Sequence, residues 1–335
     1  MAPLRFAIVS FAHIHAWSYA RVLKELEAEG EARLVAIYDD DPERLREAAQ
    51  RYHVQDTYTD LDRLLARDDV DAVIVTSENA KHVVHAVPAA EAGKHLIVEK
   101  PIATTLEDAD RIVRAAEKAG VKLQTAFVMR YHDATATVKD ILARGDIGDV
   151  LVITTTNHGT YPDLWFGDRE LAGGGSMMDH TVHTADLMRW YTGSEAEEVY
   201  AVSGANIRDY LEVEDTGLVS LRFRNGVIGS IDCSWSRPST WPTWGDVWLG
   251  ILGTEGYIVV DAFRPALDVV REGERLRWEY FGSDADYNMV ADFIRVVRED
   301  GEPRASGWDG RQALEITLAA YKSVETGRPV RLPLA

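Results

Sequence analysis

The sequence predicts an α/β fold in two parts: a doubly wound parallel sheet, then an α/β domain with a large, mainly antiparallel open sheet. Three observations predict it. Short β-branched runs alternate with helical stretches over the first third of the chain. Those runs, VAIY and AVIV among them, are continuously apolar, as strands buried on both faces are. From Glu197 to Trp278 the pattern changes to successive alternating strands with turn signals at Arg224-Asn225-Gly226 and Glu272-Gly273.

The first-part strands are expected at Leu4–Val9, Arg33–Tyr38, Ala72–Thr76, His95–Glu99 and Lys122–Phe127. Helices are expected between them at Ala16–Glu29, Pro42–Tyr52, Leu61–Arg67, Ala80–Ala92 and Leu106–Ala119. The last carries Leu106, Ala109, Ile112, Val113 and Ala116, the rhythm of an amphipathic helix. Strand–helix–strand alternation at this spacing implies right-handed crossovers. A helix at Ala134–Ala143 and a strand at Asp149–Thr156 follow, then a helix opened by Gly173–Gly175 and running to about Tyr191. Helices at Asp286–Glu299 and Gly310–Thr326 close the chain. The change of character puts a domain boundary between 126 and 127, giving domains 1–126 and 127–335.

A length of 335 residues accommodates two buried cores. The net charge of -19 argues against nucleic acid, whose binding begins by neutralising phosphates. Cys233 is the single cysteine, so no intrachain disulfide forms and nothing points to an oxidising compartment. The first apolar run, Leu4–Val9, is too short for a signal-peptide core or a membrane span. A cytoplasmic protein without membrane partners is the expectation.

A nucleotide site in such a sheet lies at the carboxyl ends of the strands, at the switch point. The usual first turn is G-x-G-x-x-G; here Val9–Ala16 puts Ser10, Ala12 and His15 at that spacing. Ser10 and His13 are candidates to replace the loop's backbone donors with side-chain ones. The second strand ends at Tyr38-Asp39, followed by Asp40 and Asp41. An acidic residue there accepts ribose hydroxyls and repels a 2′-phosphate, which favours NAD over NADP. Asp40 or Asp41 equally suits an N-cap before Pro42. Thr76-Ser77-Glu78-Asn79 and Glu99-Lys100-Pro101 follow two further strands toward the same crevice.

In the second part, Asp179 and His183 are i and i+4 after the glycine triplet, so they share one helix face. Oxidising an alcohol needs a base for the hydroxyl proton, and histidine titrates near working pH. Asp179 can orient that base or bind a neighbouring hydroxyl, and Lys100 can hydrogen-bond the developing alkoxide. The glycines would let a ligand approach the backbone, with Ser176 as N-cap. Against this, Asp179 could complete a capping box with Ser176, and His183 could be a satisfied core histidine. His13, His15, His158, His180 and His183 lack HExxH spacing and a cysteine cluster, so no metal is expected. The tryptophans of Trp235–Trp248 suit sugar C–H faces, but a core or oligomer contact is preferred for them.

The landmarks Tyr38-Asp39, Glu91-Ala92-Gly93-Lys94-His95 leading into Glu99-Lys100-Pro101, Arg130, Gly173–Gly175 with Asp179, His183 and Asp186, and Thr326-Gly327-Arg328-Pro329-Val330 together resemble the Gfo/Idh/MocA oxidoreductases. The resemblance covers nearly the whole chain and implies a Rossmann domain followed by an open-sheet domain that forms a homodimer or homotetramer. It implies an NAD(P)-dependent dehydrogenase moving a hydride between the nicotinamide and a secondary alcohol of a sugar, sugar derivative or cyclitol. Lys100, Asp179 and His183 would be catalytic. Ser10, Ala12, His13, Ile14, Asp39, Thr76, Asn79, His82, Glu99 and Lys100 would bind the cofactor. Arg130, Asn157, Trp165 and Asp179 would lie near the substrate. Two other readings stay open: a glycoside hydrolase that retains NAD for transient oxidation, and a non-catalytic dinucleotide-binding regulator.

Overall fold

The computed structural model describes residues 2–264, 266–269, 276–280 and 282–334; the Glu272-Gly273 turn lies outside them. The chain divides into two compact units, Met1–Val128 with Asp284–Arg311, and Met129–Ser283 with Gln312–Ala335. The predicted division at 126/127 placed the whole C-terminal chain in the second domain, whereas the fold returns 284–311 to the first. The reason is apolar: the helix Ala285–Glu299 buries Met289, Val290, Phe293 and Ile294, and Phe293 meets Phe6 of the first strand at 6.4 Å between ring centroids.

In the first unit β1 (Leu4–Val9), β2 (Ala32–Tyr38), β3 (Thr57–Tyr58), β4 (Ala72–Val75), β5 (His95–Val98) and β6 (Leu123–Thr125) pair in parallel. Their order, β3-β2-β1-β4-β5-β6, reverses between β1 and β4, the doubly wound arrangement expected. The connecting helices are α1 (His15–Ala28), α2 (Pro42–Tyr52), α3 (Leu61–Leu65), α4 (His82–Glu91) and α5 (Leu106–Ala119). Asp41 caps α2 by accepting from Glu43 and Arg44 N–H, with Pro42 at the first helical position. The predicted helix Ala80–Ala92 begins instead as a 3₁₀ turn, Asn79–Lys81. Three strands stop one or two residues early, so Thr76, Glu99 and Phe127 stand in the loops at the sheet's carboxyl edge.

The second unit contains α6 (Asp133–Ala143), β7 (Val150–Gly159), α7 (Arg169–Ala172) and α8 (Ser176–Thr192). The strands β8 (Ala196–Ser203), β9 (Thr216–Phe223), β10 (Ile228–Ser234), β11 (Gly245–Gly253), β12 (Tyr257–Asp261), β13 (Ala266–Val269), β14 (Arg277–Tyr280) and β15 (Val330–Arg331) follow. Seven of these strands, with β13 and β14 forming a separate ribbon, make a sheet of order β12-β11-β7-β10-β9-β8-β15. All its pairs are antiparallel except β7 with β10. Helix α8 packs on one face, against β7, β9 and β10, and is buried on nearly every side.

Candidate active site

The cofactor loop of the first unit has no glycine, yet it makes a glycine's turn. Ser10 sits at φ +73°, the left-handed region that side chains avoid at a cost of about 1–2 kcal/mol. The turn is fixed from several sides. Ser10 N–H donates to Tyr38 O at 2.7 Å, and Thr76 Oγ1 donates to Ser10 O at 2.6 Å. Phe11 N–H donates to Asp39 Oδ2 at 2.7 Å, Ala12 N–H to Ser10 Oγ at 3.2 Å, and His13 N–H to Thr76 O at 2.9 Å.

Asp39 is fully buried, and its other oxygen accepts from Asp41 N–H and Arg44 Nη2, each at 2.8 Å. Burial raises its pKa even against Arg44. The aspartates therefore divide their work: Asp41 caps α2, Asp39 locks the loop, and Asp40 bridges Arg44 and Lys81 at 2.9 and 2.8 Å. The serine turn and the small Ala12 follow β1, where the strand order reverses, the place at which a doubly wound sheet receives a dinucleotide.

Beside this loop lies a network that spacing alone did not reveal. Glu99, fully buried at the end of β5, accepts from Tyr19 OH, from His15 Nδ1 at 3.0 Å and from Lys100 N–H at 2.9 Å. His13 Nε2 lies 4.0 Å from Glu99 Oε2. Burial alone would raise the Glu99 pKa, but His13 and His15 outweigh it and hold the carboxyl below its usual range. His13, His15 and Glu99 are close enough to suggest a metal. The tautomer argues otherwise. His15 N–H donates to His13 Nδ1 at 3.1 Å, so a neutral His13 carries its proton on Nε2, the nitrogen a metal would need bare.

Of the other expected cofactor residues, Thr76 braces the loop, and Ile14 is exposed just before α1. Asn79 opens the 3₁₀ turn and Lys100 is buried at the β5 edge. His82 lies between Pro101 O and Ser77 O at 3.0 and 3.1 Å, its pKa lowered by burial.

In the second unit the glycine triplet does something other than admit a ligand. A Cβ on Gly175 would lie 1.9 Å from Glu214 O, and one on Gly174 would lie 2.1 Å from Tyr321 OH. Glu214 and Tyr321 together cap α8. The Glu214 carboxylate accepts from Met177 N–H at 2.9 Å and Gly175 N–H at 3.2 Å, and Tyr321 OH accepts from Met178 N–H at 3.1 Å. Ser176 is not the N-cap; it is the first helical residue, its hydroxyl buried without a hydrogen-bond partner among the described residues. Asp179 is therefore no capping-box partner. Its Oδ2 accepts from Trp235 Nε1 at 3.0 Å and lies 3.2 Å from His180 Nε2. His183, one turn on, is 6% exposed.

A cleft of about 460 Å³ opens in the same unit, lined by Thr160, Tyr161, Ser239, Trp241, Pro242, Thr243 and Trp244. Its walls reach the Asp179 pair. Tyr161 packs on Trp235 at 5.1 Å between centroids, and Trp244 on His180 at 6.0 Å. The tryptophan stretch thus splits: Trp235 is core, whereas Trp241 and Trp244 face a cavity. Arg237, 4.3 Å over Trp241, is held by Asp246 and lies beside His158. His158 stands between Asp232 and Asp246, which raise its pKa against burial.

The remaining substrate candidates also belong to the second unit. Arg130 forms a buried two-pronged pair with Asp186 at 2.6 and 2.7 Å. Asn157 is buried on β7 and donates to Asp246 O, and Trp165 stacks on Phe166. Residues missed from the sequence are Tyr19, Glu214, Trp235 and Tyr321. Trp235 had a signal, standing in the tryptophan-rich stretch; Glu214 and Tyr321 act 39 and 146 residues away from Gly175.

Residues 4–127 match the model of an oxidoreductase family with an NAD-binding Rossmann fold, and residues 135–259 match the GFO/IDH/MocA C-terminal domain. The chain is 33% identical to a myo-inositol 2-dehydrogenase of Thermotoga maritima over 90% of this chain and 92% of that protein. It is 30% identical to a 1,5-anhydro-D-fructose reductase of Ensifer adhaerens, over 93% and 94%. A solved structure, a probable dehydrogenase from Thermotoga maritima, superposes with a TM-score of 0.84 at 30% identity, covering 98% of this chain and 99% of that one. With both halves matched and a relative of this identity spanning nine-tenths of its length, the chain belongs to the Gfo/Idh/MocA family of oxidoreductases, its first unit an NAD-binding Rossmann fold.

Proposed function

We propose that the protein is a dehydrogenase for a neutral polyhydroxylated substrate, a sugar, sugar derivative or cyclitol, with Lys100, Asp179 and His183 as its catalytic residues. The observation that carries this reading is the linkage of Asp179, through Trp235 and His180, to the walls of the aromatic cleft. Indole and phenol faces cover sugar C–H surfaces, while the hydroxyls of Thr160, Ser239 and Thr243 suit sugar hydroxyls. The net charge of -19 disfavours an anionic substrate. The relatives are named for myo-inositol and an anhydro-sugar, and as a dehydrogenase and a reductase, which favours net redox chemistry over glycoside cleavage or regulation.

Bound NAD supplies the hydride acceptor. His183 takes the hydroxyl proton, Asp179 holds a hydroxyl in a geometry set by Trp235 and His180, and Lys100 hydrogen-bonds the developing alkoxide. Replacing His183 by Asn should lower turnover on the best of a sugar and inositol panel by about 10²–10⁴-fold. NAD affinity by calorimetry should not change; equal loss of both overturns the assignment.

The sheet face opposite α8 carries exposed Tyr200, Val202, Leu218, Ile228, Leu252 and Val259. A second copy of the chain covering this face gives the homodimer or homotetramer, and light scattering that returns one chain's mass overturns it. Among the described residues no helix is long and apolar enough to cross a membrane. We further propose a cytoplasmic location, which cell fractionation tests.

A further inference from the structure

A glycine-rich loop holds a pyrophosphate with backbone N–H groups that nothing else claims. In this loop four of those groups have internal acceptors: Asp39 for Phe11, Ser10 Oγ for Ala12, Thr76 O for His13 and His13 Nδ1 for His15, and Ile14 N–H alone has none among the described residues. One backbone amide is too few to hold a pyrophosphate, so a side-chain donor has to join it. Neither Ser10 nor His13, the two residues first expected to supply one, is accessible; each is 1% exposed, and His13 faces Glu99.

His15 differs from both. It holds the third position of the fingerprint spacing and is the first residue of α1. Its side chain is 32% exposed, whereas the Glu99 that anchors it is fully buried. Glu99 carries a full set of donors besides His15, from Tyr19 and Lys100 N–H, so the carboxylate stays ionised and keeps a proton on His15 Nδ1. The second ring nitrogen, Nε2, has no hydrogen-bond partner among the described residues.

We infer that His15, anchored through Nδ1 on Glu99, presents Nε2–H to the cofactor's pyrophosphate beside Ile14 N–H, replacing the loop amides that have internal acceptors. This rests on the NAD-binding reading of the first unit. A ring that donates from both nitrogens is a cation, so it adds charge as well as a hydrogen bond. The charged groups around it are Glu99 and Asp286, which favour the cation, and Lys100, which opposes it; His13 and Tyr19 lie against the ring. Despite burial, the balance raises the pKa of His15 above its ordinary 6.5.

Calorimetry on the full chain with NAD, ADP-ribose and adenosine, at pH 6 and 8.5, tests the inference. The wild type should bind NAD and ADP-ribose more tightly at pH 6, and adenosine equally at both. His15→Gln should weaken both pyrophosphate ligands by about tenfold or more at pH 6 and erase their pH dependence, leaving adenosine unaffected. His15→Lys should recover part of the loss. Wild-type affinity in His15→Gln, or an equal loss for adenosine, overturns the role of His15 while the cofactor assignment stands. If His15→Gln does not fold, the wild-type series decides, and affinity for ADP-ribose that is flat between the two pH values overturns the inference. Absence of NAD binding by the wild type overturns the underlying reading instead.

Discussion

Two turns in this molecule use glycine in opposite ways. At Ser10–His15 a nucleotide fold ordinarily needs glycine, and the chain makes the same left-handed turn with serine, held by Tyr38, Thr76 and its own Ala12 contact. At Gly173–Gly175 the chain has three glycines, which look like a ligand loop, and two of them make room for Glu214 and Tyr321. Glycine thus marks where backbone is crowded, without saying by what. The informative question at each turn is which group takes each N–H. Four of the first loop's amides go to Asp39, Ser10, Thr76 and His13; those of the second go to Glu214 and Tyr321.

The largest test of this contrast is Gly175→Ala. Its Cβ would meet backbone, Glu214 O at 1.9 Å and Glu214 C at 2.9 Å, so the chain before β9 must move. A loss of about 3 kcal/mol is expected, read as a lowered melting temperature. A variant that keeps its melting temperature but loses turnover would return the triplet to a ligand-contacting role.

Next in size is the behaviour of the two carboxylates that serve these regions. Glu99 is buried but faces His13 and His15, and its folded pKa lies below its ordinary 4.5. Its contribution is therefore present above pH 4.5 and is lost as pH falls below that value. Glu214 is raised by burial, against hydrogen bonds from Tyr321 and the α8 amides that only partly offset it. Its contribution is present below pH 4.5 and is lost as pH rises through the folded value. Stability differences between the wild type and Glu99→Gln, and between the wild type and Glu214→Gln, should therefore slope in opposite directions with pH. Slopes of the same sign would mean that the two sites share one electrostatic character.

Local signals account for much of what the sequence made legible. Asp41-Pro42 with Leu45 and Ala48 buried starts α2 where expected, and Thr105 with Gly120 bounds α5. Continuous apolar strands gave the parallel sheet, and alternation gave the open one. Lost to the reading were features whose causes lie far along the chain. The two-residue β3 has no pattern to read. The return of Ala285–Glu299 to the first unit depends on Phe293 finding Phe6. The pairing of Arg130 with Asp186 joins residues 56 positions apart. The sequence singles out Lys100, Asp179 and His183 as candidates because a strand end and a helix face are both local features. The partners that orient Asp179, by contrast, come from burial that no spacing announces.

The smallest expected effect concerns Ser10 itself, and there two substitutions separate turn geometry from glycine as such. Glycine would relieve the left-handed cost of about 1–2 kcal/mol. It would also forfeit the hydrogen bond from Ala12 N–H to Ser10 Oγ and add unfolded-chain entropy, each worth about 1 kcal/mol. These terms nearly cancel, so Ser10→Gly should stay within about 1 kcal/mol of the wild type. Ser10→Val keeps the strain, loses the same hydrogen bond and puts a β-branched side chain at φ +73° in a site only 1% exposed. It should cost about 2–3 kcal/mol. If Ser10→Val melted with the wild type, the left-handed turn would not be what positions Ala12 and His13, and the likeness to a glycine turn would be one of shape alone. If Ser10→Gly were the more damaging change, the serine hydroxyl, and not the backbone angle, would be the element that lets this loop dispense with glycine.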